Sequence, residues 1–303
     1  MKILITGALG TVGRVLTEEL WKKGYDVWMC DLFHYHDPQY VRCDVAKYRQ
    51  VERIFENNSF DYVYHLAAEF GRWNGEDYYD TLWITNCVGT KNLIRMQEKL
   101  KFKMIFFSSS EVYGDWKGMM SEDVMDKHEI KQLNDYAMTK WVGEIQVLNS
   151  ATMFGTETMR VRLFNTYGPG EYYSPYRSAI CIFIYKALHN MPYTVYLGHR
   201  RTSTYVDDTV HTLANIIENF KPGETYNIGG NQEHDMKYVS DIILDYLGKH
   251  DSMVDYKKGE PFTTKNKKLD ISKAIKDWGH NPNVRLEEGI PKTIKWMRKV
   301  YKK

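Results

Sequence analysis

The chain has 303 residues, of which 43% are hydrophobic and 26% are charged. This composition excludes a disordered or fibrous protein, and the length suits two lobes or one large α/β unit. The net charge is only +2 and the basic residues are scattered, so nothing in the sequence predicts binding to nucleic acid.

The short apolar runs and the few, unpaired cysteines both favour a soluble protein of the cytoplasm. No apolar run approaches the roughly 18 to 20 residues that cross a bilayer, and the first residues lack the pattern of a secretory signal. We therefore expect a soluble protein with no membrane partner. The cysteines form no C-x-x-C pair and are too few for a disulfide framework, which favours a reducing cytoplasm and argues against a metal site. They are Cys30, Cys43, Cys87 and Cys181.

Short apolar strands alternate with helical patterns over the first half of the chain. The predicted strands cover residues 2–6, 25–31, 40–44, 61–66, 104–108 and 158–164, and the predicted helices cover 12–23, 51–56, 82–99 and 136–150. This alternation predicts an α/β fold built on a doubly wound parallel Rossmann sheet with helices on both faces.

The alternation stops after residue 170, where the chain becomes rich in tyrosine and in short mixed elements. We predict a Rossmann domain over residues 1–165 and a smaller mixed α/β substrate lobe over residues 166–303. Some later segments, such as the helical pattern after Asp207, are expected to return to the first domain.

Three glycines, Gly7, Gly10 and Gly13, separate the first strand from the first helix. On their own they fit a tight turn as well as a phosphate-binding turn. Between a strand and a helix, however, they let a phosphate approach the helix N-terminus without meeting a Cβ atom. We therefore count them, with Thr11 and Val12 of the same turn, as dinucleotide-binding residues.

Asp31 ends the second strand, 18 residues after the last of these glycines. A carboxylate at this place can accept hydrogen bonds from the adenosine ribose of a dinucleotide. It would repel the 2′-phosphate of NADP, and no arginine follows it directly, so NAD is the predicted cofactor. Asp44 and Val45, after the third strand, are expected at the adenine edge, although a plain surface position suits Asp44 nearly as well.

Tyr136 and Lys140 lie four residues apart, hence on one face of one helix. An isolated pair of this kind is commonly a surface pair. Here Ser109 and Ser110 follow a strand, and in such a sheet reactive groups collect at the carboxyl ends of strands. We predict that Lys140 and the nicotinamide favour the phenolate of Tyr136, which takes a proton from a substrate hydroxyl that Ser109 orients.

Ordered motifs of the chain resemble the extended short-chain dehydrogenase/reductase family, and within it the NAD-dependent epimerases and dehydratases of nucleotide sugars. The motifs are TGALGTVG (6–13), Asp31, HLAA (65–68), Asn86, SSSEVYG (108–114), YAMTK (136–140) and LFNTYGPG (163–170), with a fitting closing segment over 269–296. The resemblance covers nearly the whole chain. It implies that Leu66, Ala67, Ala68, Asn86 and Phe164 also contact NAD.

The same resemblance implies a nucleotide-sugar substrate. Asn165 and Arg201, and with them Arg177, are expected to contact its diphosphate or its sugar, because arginine binds phosphate with a bidentate fork. A surface salt bridge is the alternative interpretation for each arginine.

Glu111 helps to distinguish the reactions that could follow oxidation at C4. An acidic residue directly before V-Y-G resembles nucleotide-sugar 4,6-dehydratases and UDP-glucuronate decarboxylases, whereas simple epimerases commonly have small or neutral residues there. After oxidation at C4, Glu111 would act at C5 or help to organise a carboxylated sugar. Alternatively, it caps the following turn or pairs with a nearby cation. The stretch over 65–79 departs from the usual Ser/Pro pattern, which predicts a different substrate shape.

The leading hypothesis is therefore transient oxidation at C4 of a nucleotide-linked sugar, followed by 4,6-dehydration or decarboxylation. A 4-epimerase, and a net dehydrogenase or ketoreductase acting on another metabolite, are the alternative enzymes. A non-catalytic NAD-binding module is the third class. The presence of Ser109, Tyr136 and Lys140 together argues against that class.

Two predicted helices carry apolar faces wider than one sheet contact requires. The residues concerned are Trp83, Val88, Trp141, Ile145 and Leu148. We expect these faces to pair in a homodimer, unless the second lobe covers them.

Overall fold

The computed structural model describes residues 1–302. Its strands are β1 (Lys2–Thr6), β2 (Asp26–Asp31), β3 (Tyr40–Arg42), β4 (Tyr62–His65), β5 (Lys103–Ser109), β6 (Met119–Met120), β7 (Thr158–Leu163), β8 (Thr166–Tyr167), β9 (Tyr193–Leu197), β10 (Arg200–Thr202), β11 (Thr204–Tyr205), β12 (Thr225–Ile228), β13 (Glu233–Asp235), β14 (Val254–Lys258) and β15 (Lys268–Leu269). Its α-helices are α1 (Thr11–Lys22), α2 (Tyr48–Glu56), α3 (Arg72–Asp77), α4 (Tyr79–Trp83), α5 (Thr90–Leu100), α6 (Val124–Lys127), α7 (Asp135–Phe154), α8 (Ala179–Leu188), α9 (Val206–Asn215), α10 (Met236–Leu247), α11 (Ser272–Trp278) and α12 (Leu286–Tyr301).

Seven strands form one sheet in the order β12-β7-β5-β4-β1-β2-β3, and every neighbouring pair is parallel. The chain runs outward from β1 to β3 and then crosses back to β4, so the strand order reverses between β1 and β4. The predicted doubly wound Rossmann fold is confirmed. A crevice opens beyond the carboxyl ends of the strands at such a reversal.

Alternate residues of β1, an inner strand of the sheet, face opposite layers of helices. Ile3 and Ile5 pack in one buried cluster with α1 and α9, whereas Leu4 packs in another with α2 and α5. Both layers therefore cover apolar strand faces, as a parallel sheet requires.

The second half of the chain contributes to both halves of the molecule. Strand β12 is an edge strand of the main sheet, beside β7, and α9 packs against α1. A separate buried cluster joins α8, α10, α12 and β9. None of the helices within residues 1–302 is both long enough and apolar enough to cross a membrane.

The helix predicted over 82–99 is not a single regular helix. It consists of α4, a π-helical segment over Ile84–Gly89, and α5. Gly89 lets the segment pack against Val45, since a Cβ atom there would lie 2.8 Å from the Val45 side chain. A period of 3.6 residues does not reveal such an insertion.

Two indoles of the predicted dimer face make contacts within the chain. Trp83 Nε1 donates to Asp135 Oδ1 at 2.7 Å, and Trp141 packs on the buried cluster that contains Val112 and Phe164. The excess apolar surface of these helices is therefore carried by their aliphatic residues.

Candidate active site

A cavity of about 990 Å³ lies at the carboxyl ends of the parallel strands, between the sheet and the second half of the chain. Its lining comes from the turns after β1, β2, β4, β5 and β7 on one side and from β9 and β10 on the other. This is the position that the strand order predicts for a ligand.

The glycine turn fits a dinucleotide phosphate. Gly7 has a φ of +71°, and a Cβ atom there would lie 2.7 Å from Ala67 N. Gly10 is the N-cap of α1 and has no side chain, so no N-cap side chain accepts hydrogen bonds from the first N–H groups of α1. Thr11 and Val12 belong to this turn and line the cavity with the three glycines. An uncapped helix N-terminus of this kind binds an anion such as pyrophosphate.

The Asp31 carboxylate is fixed at the cavity wall. Its Oδ2 accepts a hydrogen bond from Leu9 N at 2.9 Å, and its Oδ1 accepts one from Leu32 N at 2.7 Å. The parallel register also brings Arg42 beside Asp31, which the sequence separation concealed. The Arg42 Nε donates to the Leu32 carbonyl at 2.8 Å and not to Asp31. The residues present therefore fit NAD, whose ribose Asp31 would hold.

Most of the other predicted cofactor residues line the same cavity. They are Asp44, Val45, Leu66, Ala67, Ala68 and Phe164. Asn86 instead lies behind the wall. Its side chain accepts from Glu69 N at 2.8 Å and donates to Glu69 O and Thr139 Oγ1, both at 3.0 Å. Asn86 thus holds the segment after β4 against α7.

Helix α7 presents Tyr136 and Lys140 to the cavity because Asn134 fixes where the helix begins. The Asn134 side chain accepts a hydrogen bond from Ala137 N at 2.8 Å, as an N-cap does. Tyr136, Lys140 and Ser109 all line the cavity, so the structure brings the predicted catalytic group together.

The electrostatics of this group depend on burial. Burial raises the pKa of Tyr136 to about 12, although neighbouring Ser109 opposes this shift. Burial lowers the pKa of Lys140 to about 8, and its Nζ donates to the Phe107 carbonyl at 2.9 Å. The Lys140 Nζ lies 6.0 Å from the centre of the Tyr136 ring. The phenolate expected when a nicotinamide is bound stays a prediction.

Glu111 pairs with a cation that the sequence did not reveal. Its Oε1 lies 2.5 Å from Lys267 Nζ, and that ammonium also donates to Ser110 Oγ at 3.4 Å. Burial would raise the pKa of Glu111, but the charges of Lys267 and Arg72 outweigh burial and lower it to about 2. Burial lowers the pKa of Lys267 to about 8 against the opposing effect of Glu111. Glu111 is therefore a carboxylate at neutral pH.

A second ion pair adjoins the first. Arg72 Nη2 lies 2.8 Å from Glu260 Oε1, and Arg201 Nη2 lies 3.8 Å from Glu260 Oε2. Together these residues and the Glu111–Lys267 pair form what we call the charge cluster: Arg72, Glu111, Arg201, Glu260 and Lys267. Three cations face two carboxylates, so the charge cluster carries one positive charge in excess.

Three members of the charge cluster were missed because no local pattern marks them. Arg72 lies in the stretch that departs from the usual family pattern, and Gly71 before it has a φ of +94°. Glu260 and Lys267 belong to a polar segment whose sequence is typical of a solvated surface. Only the tertiary fold brings them to the end of β5.

The two other predicted substrate residues also line the cavity. The guanidinium of Arg177 stacks 3.9 Å from the centre of the Phe70 ring, and its Nε is buried without a hydrogen-bond partner among the described residues. Asn165 is exposed at the cavity, while its carbonyl accepts from Thr204 N at 2.8 Å. Both positions can reach a ligand beyond the glycine turn.

The sheet, the glycine turn and the serine–tyrosine–lysine group define a dinucleotide-dependent enzyme. The family model described as "NAD dependent epimerase/dehydratase family" matches residues 3–229, and the chain belongs to that family. The enzyme class and the NAD cofactor expected from the sequence are thereby confirmed.

Relatives match along almost the entire chain. The chain is 32% identical to a UDP-N-acetyl-alpha-D-glucosaminuronate decarboxylase of Bacillus cytotoxicus, covering 99% of this chain and 98% of that protein. The structure of a UDP-glucuronic acid 4-epimerase from Bacillus cereus, in complex with UDP-glucuronic acid and NAD, superposes with a TM-score of 0.87 at 27% identity, covering 99% and 100%. A UDP-glucose 4-epimerase of Thermotoga maritima, with UDP-glucose, gives a TM-score of 0.89 at 25% identity and the same coverage.

Proposed function

We propose that the protein oxidises C4 of a nucleotide-linked hexuronate, releases C6 as carbon dioxide and then reduces C4 again. The charge cluster carries this proposal. It adjoins the catalytic group, since Glu111 N donates to Ser109 Oγ at 3.2 Å. A mostly buried cluster with one unmatched positive charge favours one more anion, and the C6 carboxylate of a uronate supplies it.

The first step belongs to Tyr136, Ser109 and Lys140. Ser109 orients the C4 hydroxyl, and Tyr136 takes its proton as the C4 carbonyl forms. Lys140 adds a positive charge near the phenol. Gly7, Gly10 and Gly13 would hold NAD, which would supply the hydride acceptor for C4 and the hydride donor for its later reduction.

Carbon dioxide is lost after C4 becomes a ketone. The C6 carboxylate is then β to the carbonyl, so the electron pair of the C5–C6 bond can move towards the C4 oxygen while carbon dioxide leaves. A proton from solvent adds to C5, and Tyr136 returns its proton to the C4 oxygen on reduction. Glu111, held as a carboxylate by Lys267, favours neutral carbon dioxide over a second anion beside it.

The relatives support a uronate substrate as well. The Bacillus cytotoxicus protein is named as a decarboxylase of a UDP-linked uronate, and the Bacillus cereus structure contains UDP-glucuronic acid. Arg177 and Asn165 are suited to the diphosphate of such a substrate, because a guanidinium binds phosphate with a two-pronged geometry.

A panel of nucleotide sugars tests this function. The NAD-loaded enzyme is incubated with UDP-glucuronate, UDP-N-acetylglucosaminuronate, UDP-glucose and dTDP-glucose, and the products are examined by mass spectrometry and NMR. We expect loss of carbon dioxide from a uronate. Inversion at C4 without a mass change would instead show a 4-epimerase, loss of water from a neutral sugar would show a dehydratase, and either result contradicts the proposal.

Two lobes serve this function in our proposal. Residues 1–165, with the returning segments α9 and β12, hold NAD, and the remainder of 166–303 holds the nucleotide sugar. This division is supported by the separate buried cluster of α8, α10 and α12.

We further propose a cytoplasmic homodimer. Ile84, Val88, Ile145 and Leu148 are 38–48% exposed on neighbouring helical segments, which favours burial against a second copy. The four cysteines are free, and Cys30 and Cys43 are both buried without a disulfide between them, as a reducing compartment favours.

A further inference from the structure

The charge cluster has three cations, and their hydrogen bonds differ. Lys267 is only 4% exposed at its side chain and is bound to Glu111. It lies behind Glu111 and Ser110, which line the cavity. Lys267 therefore acts on the carboxylate of this chain and not on a ligand.

Arg201 is tied to its own chain. Its Nη1 donates to the carbonyls of Arg200 at 2.9 Å and Lys265 at 2.7 Å. Its Nη2 approaches His199 Nδ1 at 3.5 Å and Thr263 Oγ1 at 3.4 Å. A guanidinium has five N–H donors, so contacts of this number leave Arg201 little capacity for a substrate. Its role is to fix the segment around residues 263–265.

Arg72 is different. Within residues 1–302 it makes one short contact, to Glu260 at 2.8 Å, and one long contact, to the Pro261 carbonyl at 3.5 Å. Its side chain is 20% exposed, towards the cavity. Most of its donors therefore remain for a ligand, and a planar fork suits a carboxylate.

We infer that Arg72 is the residue that selects uronates, by binding the C6 carboxylate with the donors that Glu260 leaves free. This inference rests on the proposed function for the identity of the anion. Glu260 competes with the substrate for the same guanidinium, so it sets how strongly Arg72 attracts a carboxylate. The sequence resemblance had assigned substrate contact to Arg201, whereas the contacts favour Arg72.

The test compares binding of a charged and a neutral substrate. UDP-glucuronate and UDP-glucose are titrated by calorimetry into NAD-loaded wild type, Arg72→Gln, Glu260→Gln, Arg201→Gln and the surface control Arg53→Gln. Because Arg72→Gln loses charged hydrogen bonds, its dissociation constant for UDP-glucuronate should rise by about 10- to 100-fold. Its dissociation constant for UDP-glucose should change by less than about 2-fold. Glu260→Gln should bind UDP-glucuronate more tightly, and Arg53→Gln should match wild type.

Two results would overturn the assignment. Equal weakening of both ligands in Arg72→Gln would make Arg72 a structural or phosphate-binding residue. Loss of uronate preference in Arg201→Gln alone would move the carboxylate to Arg201. Failure of the proposed function gives different results. The wild-type enzyme would then bind UDP-glucuronate no better than UDP-glucose, or it would prefer uronates and invert C4 without releasing carbon dioxide. In the second case the assignment of the carboxylate to Arg72 stands.

Discussion

Tyr136 is the residue on which the first chemical step of the proposed function depends. Replacement by phenylalanine removes the ionisable oxygen and little volume, so Tyr136→Phe should lose turnover by at least about 100-fold. NAD binding, which rests on the glycine turn and Asp31, should be unchanged in a fluorescence titration. Loss of NAD binding or of folding would show that Tyr136 is structural.

The pH dependence of turnover separates the two buried lysines. Both Lys140 and Lys267 have a pKa lowered to about 8 by burial, so each loses its charge as the pH rises through that value. Deprotonation of Lys267 removes the excess positive charge of the charge cluster, so capture of a uronate carboxylate weakens and turnover at a fixed, low substrate concentration should fall above pH about 8. Lys267→Arg keeps the charge at higher pH, so its kcat/KM profile should lose this alkaline limb. An identical limb in both enzymes would assign it to Lys140.

At the scale of single residues, the sequence predicted those site residues that belong to local motifs. Ser109, Tyr136, Lys140 and Asp31 stand at fixed places relative to a strand or a helix, so pattern and spacing located them. Three residues of the charge cluster, Arg72, Glu260 and Lys267, were not predictable, because their partners are distant along the chain and no local pattern marks them.

Helix α7 is the element that joins catalysis to the core. Glu144, one turn after Lys140, is fully buried and accepts from Ser108 Oγ at 2.5 Å, Arg162 Nε at 2.9 Å and Arg162 Nη2 at 2.8 Å. Arg162 also donates to the Tyr113 hydroxyl at 3.0 Å. These bonds connect α7 to β5, to β7 and to the turn that follows Glu111.

Breaking this network should destabilise the whole protein. Glu144→Gln leaves Arg162 buried without its counter-ion, which should lower the free energy of unfolding by about 3 kcal/mol. The exposed pair Lys292–Glu288 is the matched control, and Glu288→Gln should change stability by less than about 1 kcal/mol. Urea unfolding measures both, and equal effects would contradict a structural role for the buried pair.

The sequence predicted the presence of elements with a strong hydrophobic repeat better than it predicted where they end or where they become irregular. The apolar strands and α1 follow directly from the sequence pattern. The π-helical segment does not follow from the pattern, and it contains the packing of Gly89 on Val45 and the hydrogen bonds of Asn86. Local propensity contains neither of these tertiary contacts.

The whole molecule presents an aliphatic patch that we propose to be the dimer interface. Ile145→Asp places a charge in its centre, so wild type should have the mass of a dimer in light scattering and the variant that of a monomer. The side chain is exposed at 48%, so the monomer should keep its fold and its NAD binding. A wild-type monomer at micromolar concentration would reject the homodimer.

The most direct test of the proposed function follows the fate of C6. The NAD-loaded enzyme is given UDP-glucuronate and UDP-N-acetylglucosaminuronate, each labelled with carbon-13 at C6, and the released gas and the remaining sugar are analysed together. We predict labelled carbon dioxide, an unlabelled UDP-pentose from UDP-glucuronate or an unlabelled UDP-2-acetamido-2-deoxypentose from the N-acetylated substrate, and no lasting accumulation of reduced cofactor. Complete retention of the label in a turned-over sugar would contradict decarboxylation.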